Sequence, residues 1–242
     1  MNTKELLELA LETHGGIEKY NQFKILKAHL QIGGITWGMK GHDGALNNAH
    51  YTAYLHEQKG SWSGIFEPDT RSEFTPQRVA LLSGEGALIE ELQAPRESFK
   101  GHNIETPWTK LQTVYFSSYA TWNYLTAPFN FLTPEVAFNE LAPLDVNGGT
   151  LRRLEVIYPD GFATHSKRQV YYYDETGLPK RHDYWPEVLG GSSATQILED
   201  YKDFSGIKLA TKRRIYILND ADNSYLPEPV LVSIDLLDAK FE

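Results

Sequence analysis

Residues 168–185 read RQVYYYDETGLPKRHDYW. Two strand-length runs, Arg168 to Asp174 and Leu178 to Trp185, flank Glu175-Thr176-Gly177, and a short glycine-bearing turn between such runs predicts a β-hairpin. Successive side chains of a strand point to opposite faces. The rings of Tyr171 and Tyr173 therefore share one face, and Tyr172 takes the other. One aromatic face can pack a core while the other lines a cavity or lies under a helix. The competing reading is that strands favour aromatics and pair them across a sheet.

The same signal repeats on either side. Thr195 to Tyr201 and Ile207 to Leu218 flank Lys202 to Gly206 as a further hairpin, with Val230 to Leu237 as a last strand and Leu151 to Tyr158 as an earlier one. In the first half, Lys24 to Ile35 reads as a strand, Ala49 to Phe66 as a hairpin turning near Gln58-Lys59-Gly60, and Arg78 to Ser83 with Ala87 to Leu92 as another around Gly84-Glu85-Gly86. One long segment breaks this pattern. Thr106 is a candidate N-cap and Pro107 a candidate first helical residue. Trp108, Leu111, Tyr115, Tyr119 and Trp122 then recur at helical spacing, and Pro128 ends the helix at the latest. About ten strands, mostly joined by short turns and with no βαβ alternation, predict a mainly β (α+β) chain with an antiparallel sheet. No linker composition and no fixed-period repeat divides it, so a single domain over 1–242 is expected.

Composition narrows the function classes. The chain has 242 residues, with 23 Lys+Arg against 32 Asp+Glu, a net charge of −9 and no cysteine. An acidic balance argues against general nucleic-acid binding, which needs cations to displace counterions from phosphates. Without cysteine there are no disulfides, thiolate metal sites or Cys nucleophiles. The 14 Tyr, 11 Phe and 5 Trp carry large apolar area whose polar atoms need partners when buried. At the N-terminus, Glu5, Glu8 and Glu12 interrupt any apolar leader. Residues 3–14 read instead as an amphipathic helix, capped by Thr3, with Leu6, Leu7, Ala10 and Leu11 as its stripe and Gly15-Gly16 as its end. No run approaches the roughly 18 apolar residues of a membrane helix. A cytoplasmic protein with no membrane insertion is the expectation.

Four stretches carry a resemblance: IGGITWGMKG at 32–41, ETPWTKLQTVYFSSYATWNYLTAPF at 105–129, THSKRQVYYYDETGLPKRHDYWPEVLGG at 164–191 and DYKDFSGIKLATKRRIY at 200–216. They are similar to a set of uncharacterised soluble bacterial proteins. The order of helix, strands, central helical segment and further strands resembles, by architecture, the LolA/LolB lipoprotein-carrier superfamily. That resemblance implies a curved antiparallel half-barrel sheet with helices packed across its concave face, over an apolar cavity. Fold does not carry function with it, and no activity is implied.

The sequence offers little dedicated chemistry. His50 and His56 share a parity on one putative strand but would stand roughly 20 Å apart at about 3.3 Å per residue. His165 and His182 could meet across the hairpin around Gly177, but Asp183 points to the face opposite His182, and no metal site is expected. There is no G-x-S-x-G elbow. The double glycines at 15–16, 33–34, 148–149 and 190–191 build no phosphate loop and read as turns, caps or bulges. In Lys212-Arg213-Arg214, Arg213 faces away from its neighbours, so no one-sided basic patch arises. What remains is the run Arg181, His182, Asp183, Tyr184. The His182 and Tyr184 face, with His165 alongside, could shuttle a proton. The bland reading makes Arg181 and Asp183 a solvated charge pair and His182 a buried hydrogen-bonding group.

The function these residues favour is binding of a lipophilic or amphipathic small molecule in an aromatic-lined cavity, without cofactor. Trp108, Tyr115, Tyr119 and Trp122 would form the helical wall. Tyr171, Tyr173, His182 and Tyr184 would form the sheet wall. The alternative is a cofactor-independent isomerase, cyclase or hydrolase with His165, His182, Tyr184 and Asp183 as its catalytic groups. A third reading, an interaction protein with a collapsed sheet–helix interface, predicts no pocket above a few hundred Å³. Oligomeric state is left open.

Overall fold

A computed structural model describes residues 3–146 and 149–242. Gly148, read above as half of a turn, lies outside the described residues, as do Met1 and Asn2. The chain opens with α1 (Thr3–Thr13) and α2 (Ile17–Tyr20), then β1 (Ile25–Gly33) and the short α3 (Ile35–Met39). A meander follows: β2 (Ala49–Tyr54), β3 (Lys59–Ser63), β4 (Thr70–Thr75), β5 (Arg78–Ser83) and β6 (Leu88–Gln93). The long α4 (Lys110–Thr126) interrupts the strands. Then come β7 (Ala137–Val146), β8 (Gly149–Ile157), β9 (Arg168–Tyr173), β10 (Pro179–Tyr184), β11 (Ala194–Phe204), β12 (Ile207–Asn219), β13 (Ser224–Tyr225) and β14 (Val232–Phe241).

Among the described residues all fourteen strands join one antiparallel sheet in the order β6-β5-β4-β3-β2-β1-β14-β12-β11-β10-β9-β8-β7, with β13 paired to β12. First and last strands meet in its middle, Leu26 opposite Phe241 and Ile32 opposite Ile234. The sheet is open, with edges β6 and β7. Every predicted strand is present. β4 and β7 went unread because neither announces itself: β4 (TRSEFT) is short and polar, and β7 (AFNELAPLDV) carries a proline. A proline is tolerated on a sheet edge because it leaves no ladder donor missing. The first strand stops at Gly33 rather than Ile35. Gly34 has φ 103°, and a Cβ there would meet the Leu231 carbonyl oxygen at 2.5 Å, so the chain turns into α3.

The alternation in Tyr171-Tyr172-Tyr173 is as read. Tyr171 and Tyr173 pack with Leu6 and Ala10 of α1 and with Phe131. Tyr172 lies on the other face, its hydroxyl donating to Asp183 at 2.6 Å. The N-terminal helix buries Leu6, Ala10 and Leu11 as its stripe demands, and Thr3, the first described residue, is already helical, its hydroxyl accepting the Glu140 N–H at 3.1 Å.

The central helix starts later than predicted. Thr109, not Thr106, is the N-cap of α4. Its hydroxyl accepts the Gln112 N–H at 3.2 Å, while the Gln112 side chain accepts the Thr109 N–H at 2.9 Å, a reciprocal capping box. The Thr106 hydroxyl is engaged instead with Asn103 Oδ1. Residues 103–106 are pinned by the buried Lys40 ammonium, which donates to the carbonyls of Asn103, Ile104 and Thr106 at 3.1, 2.5 and 2.9 Å. Replacing Thr109 with Ala should remove about 1 kcal/mol of stability, read as a lower urea midpoint at unchanged slope. An unchanged midpoint would mean the box contributes nothing.

The helix is not one aromatic stripe. Every residue from Leu111 to Thr126 is buried, as expected of a helix enclosed on all sides. It packs closest on β2 to β6. Its last turn meets β12: Tyr124 C=O would bond the N–H of residue 128, but that residue is Pro, and Arg213 Nη2 donates to it at 2.8 Å instead.

Candidate functional site

Because α4 lies closest to β2–β6, it fits less tightly over the middle of the sheet. There an apolar slot of about 50 Å³ remains, walled by Phe116 and Ala120 of α4, Ile32 of β1, Ile215 of β12 and Ile234 of β14. Trp37 closes one side. The segment around Leu189, Leu231 and Val232 closes another. Tyr124 and Tyr184 form part of its lining, and their hydroxyls are 2.9 Å apart.

Behind those phenols lies a buried polar chain. Tyr124 Oη is 2.7 Å from His165 Nε2, and Tyr119 Oη is 3.2 Å from His165 Nδ1. The imidazole stacks on the Tyr184 ring at 4.2 Å. His165 lies in the loop between β8 and β9. His182 stacks on Tyr171 at 3.9 Å. The Gln169 amide donates to Thr164 and Ser166, so its oxygen accepts, and His182 Nε2 donates to it at 2.7 Å.

Burial governs the charge states. It pushes His165 down to about 3, helped by the nearby Arg96 cation, and pushes His182 well below the ordinary imidazole value. It raises Tyr119, Tyr124 and Tyr184 above the ordinary phenol value. At neutral pH the whole chain of groups is uncharged.

The structure brings together His165, Tyr119 and Tyr184, with His182 beside Tyr184 at a ring separation of 4.8 Å. It does not bring in the rest. Asp183 is on the opposite face of the sheet, buried and paired with Arg181 at 2.7 Å, so the solvated charge pair of the bland reading is corrected. Trp108 precedes α4 and packs against Phe99 and Phe116. Trp122 donates its indole N–H to Tyr54 C=O and borders a separate cleft of about 340 Å³ with Tyr20 and Phe129. Tyr115 borders an open cleft of about 600 Å³ with Arg96, Lys167 and Glu187. Tyr171, Tyr173 and His182 border a small cavity of about 20 Å³. His56 falls in the turn after β2, outside the strand shared with His50. The 600 Å³ cleft exceeds the pocket size of the interaction-protein reading but lies outside the sheet–helix interface, where the space is about 50 Å³. Among the described residues no group of three or more His, Cys, Asp or Glu side chains could hold a metal ion.

Sequence reading missed Tyr124, Gln169 and Arg213. Tyr124 lies off the stripe drawn through Tyr119 and Trp122. Arg213 left a signal: it was read as facing away from Lys212 and Arg214, and it is indeed buried while Lys212 is exposed.

No protein-family model and no curated protein matches the chain. Solved structures do. A LolA superfamily protein from Nitrosomonas europaea aligns with TM-score 0.58 at 12% identity, over 100% of this chain and 94% of that one. A domain named for outer membrane lipoprotein sorting, from Vibrio parahaemolyticus, aligns with TM-score 0.54 at 14% identity, over 100% and 94%. A DUF1329 family protein from Desulfovibrio piger aligns with TM-score 0.54 at 12% identity, over 99% and 93%. The chain thus resembles the LolA superfamily distantly, in its open antiparallel sheet. The cytoplasmic expectation is corrected here. It rested on the glutamates that interrupt an apolar leader and on the lack of a long apolar run, whereas the whole chain shares its fold with a domain named for the outer membrane. No helix among the described residues is long and apolar enough to cross a membrane.

Proposed function

We propose that the chain acts as one LolA-like half-barrel unit that binds a lipophilic or amphipathic small molecule between α4 and the sheet, with α4 lying across the concave face. The observation that carries this reading is the slot itself. Its walls are almost wholly aliphatic and aromatic, and its polar groups are few, Tyr124 and Tyr184 among them, the composition of a small-molecule site. At about 50 Å³ it admits a chain-like ligand only when its rim, Leu189 and Leu231–Val232, moves outward. Exposed Ile35, whose N–H bonds Val230 C=O, continues the apolar surface at that rim. The neighbour named for outer membrane lipoprotein sorting supports a place of action outside the cytoplasm.

The acid–base alternative has less behind it. An effective catalytic base has a pKa near the working pH, and His165 at about 3 is far from it. His165 also lines none of the cavities described above.

Trp37 lines the slot, so a brominated fatty acid bound there should quench its fluorescence. Titration with 9,10-dibromostearate should give saturable, one-to-one quenching in the micromolar range. Ala120→Trp, which fills the slot, should weaken binding at least about tenfold, a loss of roughly 1.4 kcal/mol. Absent quenching, or equal quenching in the Ala120→Trp protein, would sink the reading.

A further inference from the structure

We propose that the cavity beneath the α4 C-terminus is a subsite for a single negatively charged group, held by Arg213 and Lys208. Tyr124 separates this cavity from the apolar slot and lines both. Its other walls include Tyr171, Tyr173, Tyr201, His14 and His182, and no Asp or Glu is among them. Arg213 and Lys208 both line it, and among the described residues neither forms a salt bridge, although most of the chain's other arginines do. A guanidinium cannot shed its proton to escape burial, and buried charges are ordinarily paired. Arg213 finds only neutral partners: Gln196 Oε1 at 2.7 Å, Tyr124 C=O at 2.8 Å and the face of the Tyr124 ring at 5.3 Å. The negative end of the α4 dipole offsets part of its charge, but not that of Lys208. A chain of net charge −9 has thus placed two cations and no acid around one internal space.

At about 20 Å³ the space exceeds the roughly 10–15 Å³ that one water needs. It suits a halide-sized ion as it stands, or a carboxylate after a small outward shift of Tyr124. The shared chemistry is a monovalent anion, either free or the head group of an amphiphile whose tail lies in the slot. The second source rests on the function proposed above. His14 provides the internal reporter. Its Nδ1 bonds Ala10 C=O at 2.7 Å, and burial with the Arg213 and Lys208 cations lowers its pKa to about 4. An anion in the cavity offsets those cations, so the imidazole becomes easier to protonate.

The test is NMR of the His14 ring nitrogens in the intact protein during titration with sodium chloride, with sodium gluconate, too large for the cavity, as the ionic-strength control. At pH 7, where the protein is folded, chloride should shift the His14 ring nitrogens saturably; gluconate should not. Arg213 caps α4, so its replacement risks misfolding. Lys208→Gln is the working variant and should weaken the chloride response about tenfold. Decanoate and decanol distinguish the source. If decanoate binds more tightly than decanol and competes with chloride, the anion is an amphiphile's head group. If chloride shifts His14 but neither alkyl probe binds, the subsite takes free anions, and the slot reading fails alone. If chloride and gluconate act identically on His14 and decanoate binds no better than decanol, the proposal is overturned and the cavity holds only water.

Discussion

Lowering the pH from 6.5 toward 4 should unfold this protein, and the loss should begin before any carboxylate is involved. Three histidines are buried uncharged. His14 is lowered to about 4 and His165 to about 3, both chiefly by burial, and His182 is lowered for the same reason, with His165 and Arg213 adding to it. In the unfolded chain each titrates near 6.5. Below that pH the unfolded state therefore binds protons that the folded state refuses, and stability falls as pH falls. Each histidine contributes up to about 1.4 kcal/mol per pH unit, in a window from 6.5 down to its own folded value. At pH 5 His14 and His165 together remove about 4 kcal/mol and His182 adds to that, which compares with the whole stability of an ordinary domain, about 5–15 kcal/mol. Asp174 and Glu155, whose folded pKa values are depressed, add their share only at lower pH. Urea midpoints at pH 7.5, 6.5 and 5.0 should drop steeply across the last interval, while the His14, His165 and His182 ring resonances of the folded protein at pH 5.5 stay those of neutral rings. A midpoint that stays level from pH 7 to 5 would show that these rings can take up protons in place.

Periodicity made most of the strands legible. The hairpin at 168–185 was visible because a glycine turn separates two runs of matching length, and the facing of Tyr171, Tyr172 and Tyr173 followed from backbone alternation alone. The start of α4 was misplaced because Thr106-Pro107 and Thr109 both satisfy local capping rules. The choice between them is made by Lys40, more than sixty residues upstream, which holds the preceding loop out of helical geometry. The site was legible only in pieces. Tyr184, His182 and His165 were named from their polarity amid aromatic strands, and they do lie together. Tyr124 was missed because one stripe was drawn on a helix that has no exposed side. Asp183 was grouped with them by adjacency in sequence, although neighbours on a strand part company in space.

That separation sets the second large effect. Asp183→Ala should cost about 3–5 kcal/mol, yet leave ligand binding intact in whatever fraction stays folded. The Asp183 carboxylate receives Arg181 Nε at 2.7 Å and Nη2 at 2.8 Å, the Tyr172 hydroxyl at 2.6 Å and the Thr195 hydroxyl at 2.5 Å. Arg181 is in turn bonded to Asn223 O and Oδ1 and lies over the Tyr172 ring. Both charges are buried. Removing the acid leaves a guanidinium with only dipolar partners and takes the acceptor from the Tyr172 and Thr195 hydroxyls, losses already contained in that 3–5 kcal/mol. The pair itself need not be strongly stabilising, since desolvation offsets most of its attraction. The double variant Arg181→Met, Asp183→Leu should therefore lose clearly less than the sum of the two single changes, a coupling of about 1–3 kcal/mol in a double-mutant cycle. A catalytic or ligand-contacting carboxylate would behave otherwise. Asp183→Asn, which keeps the shape, would then impair dibromostearate binding or turnover at full foldedness. A structural carboxylate on the far face loses stability and nothing else, and measuring the urea midpoint and the quenching titration on the same Asp183→Asn sample separates the two.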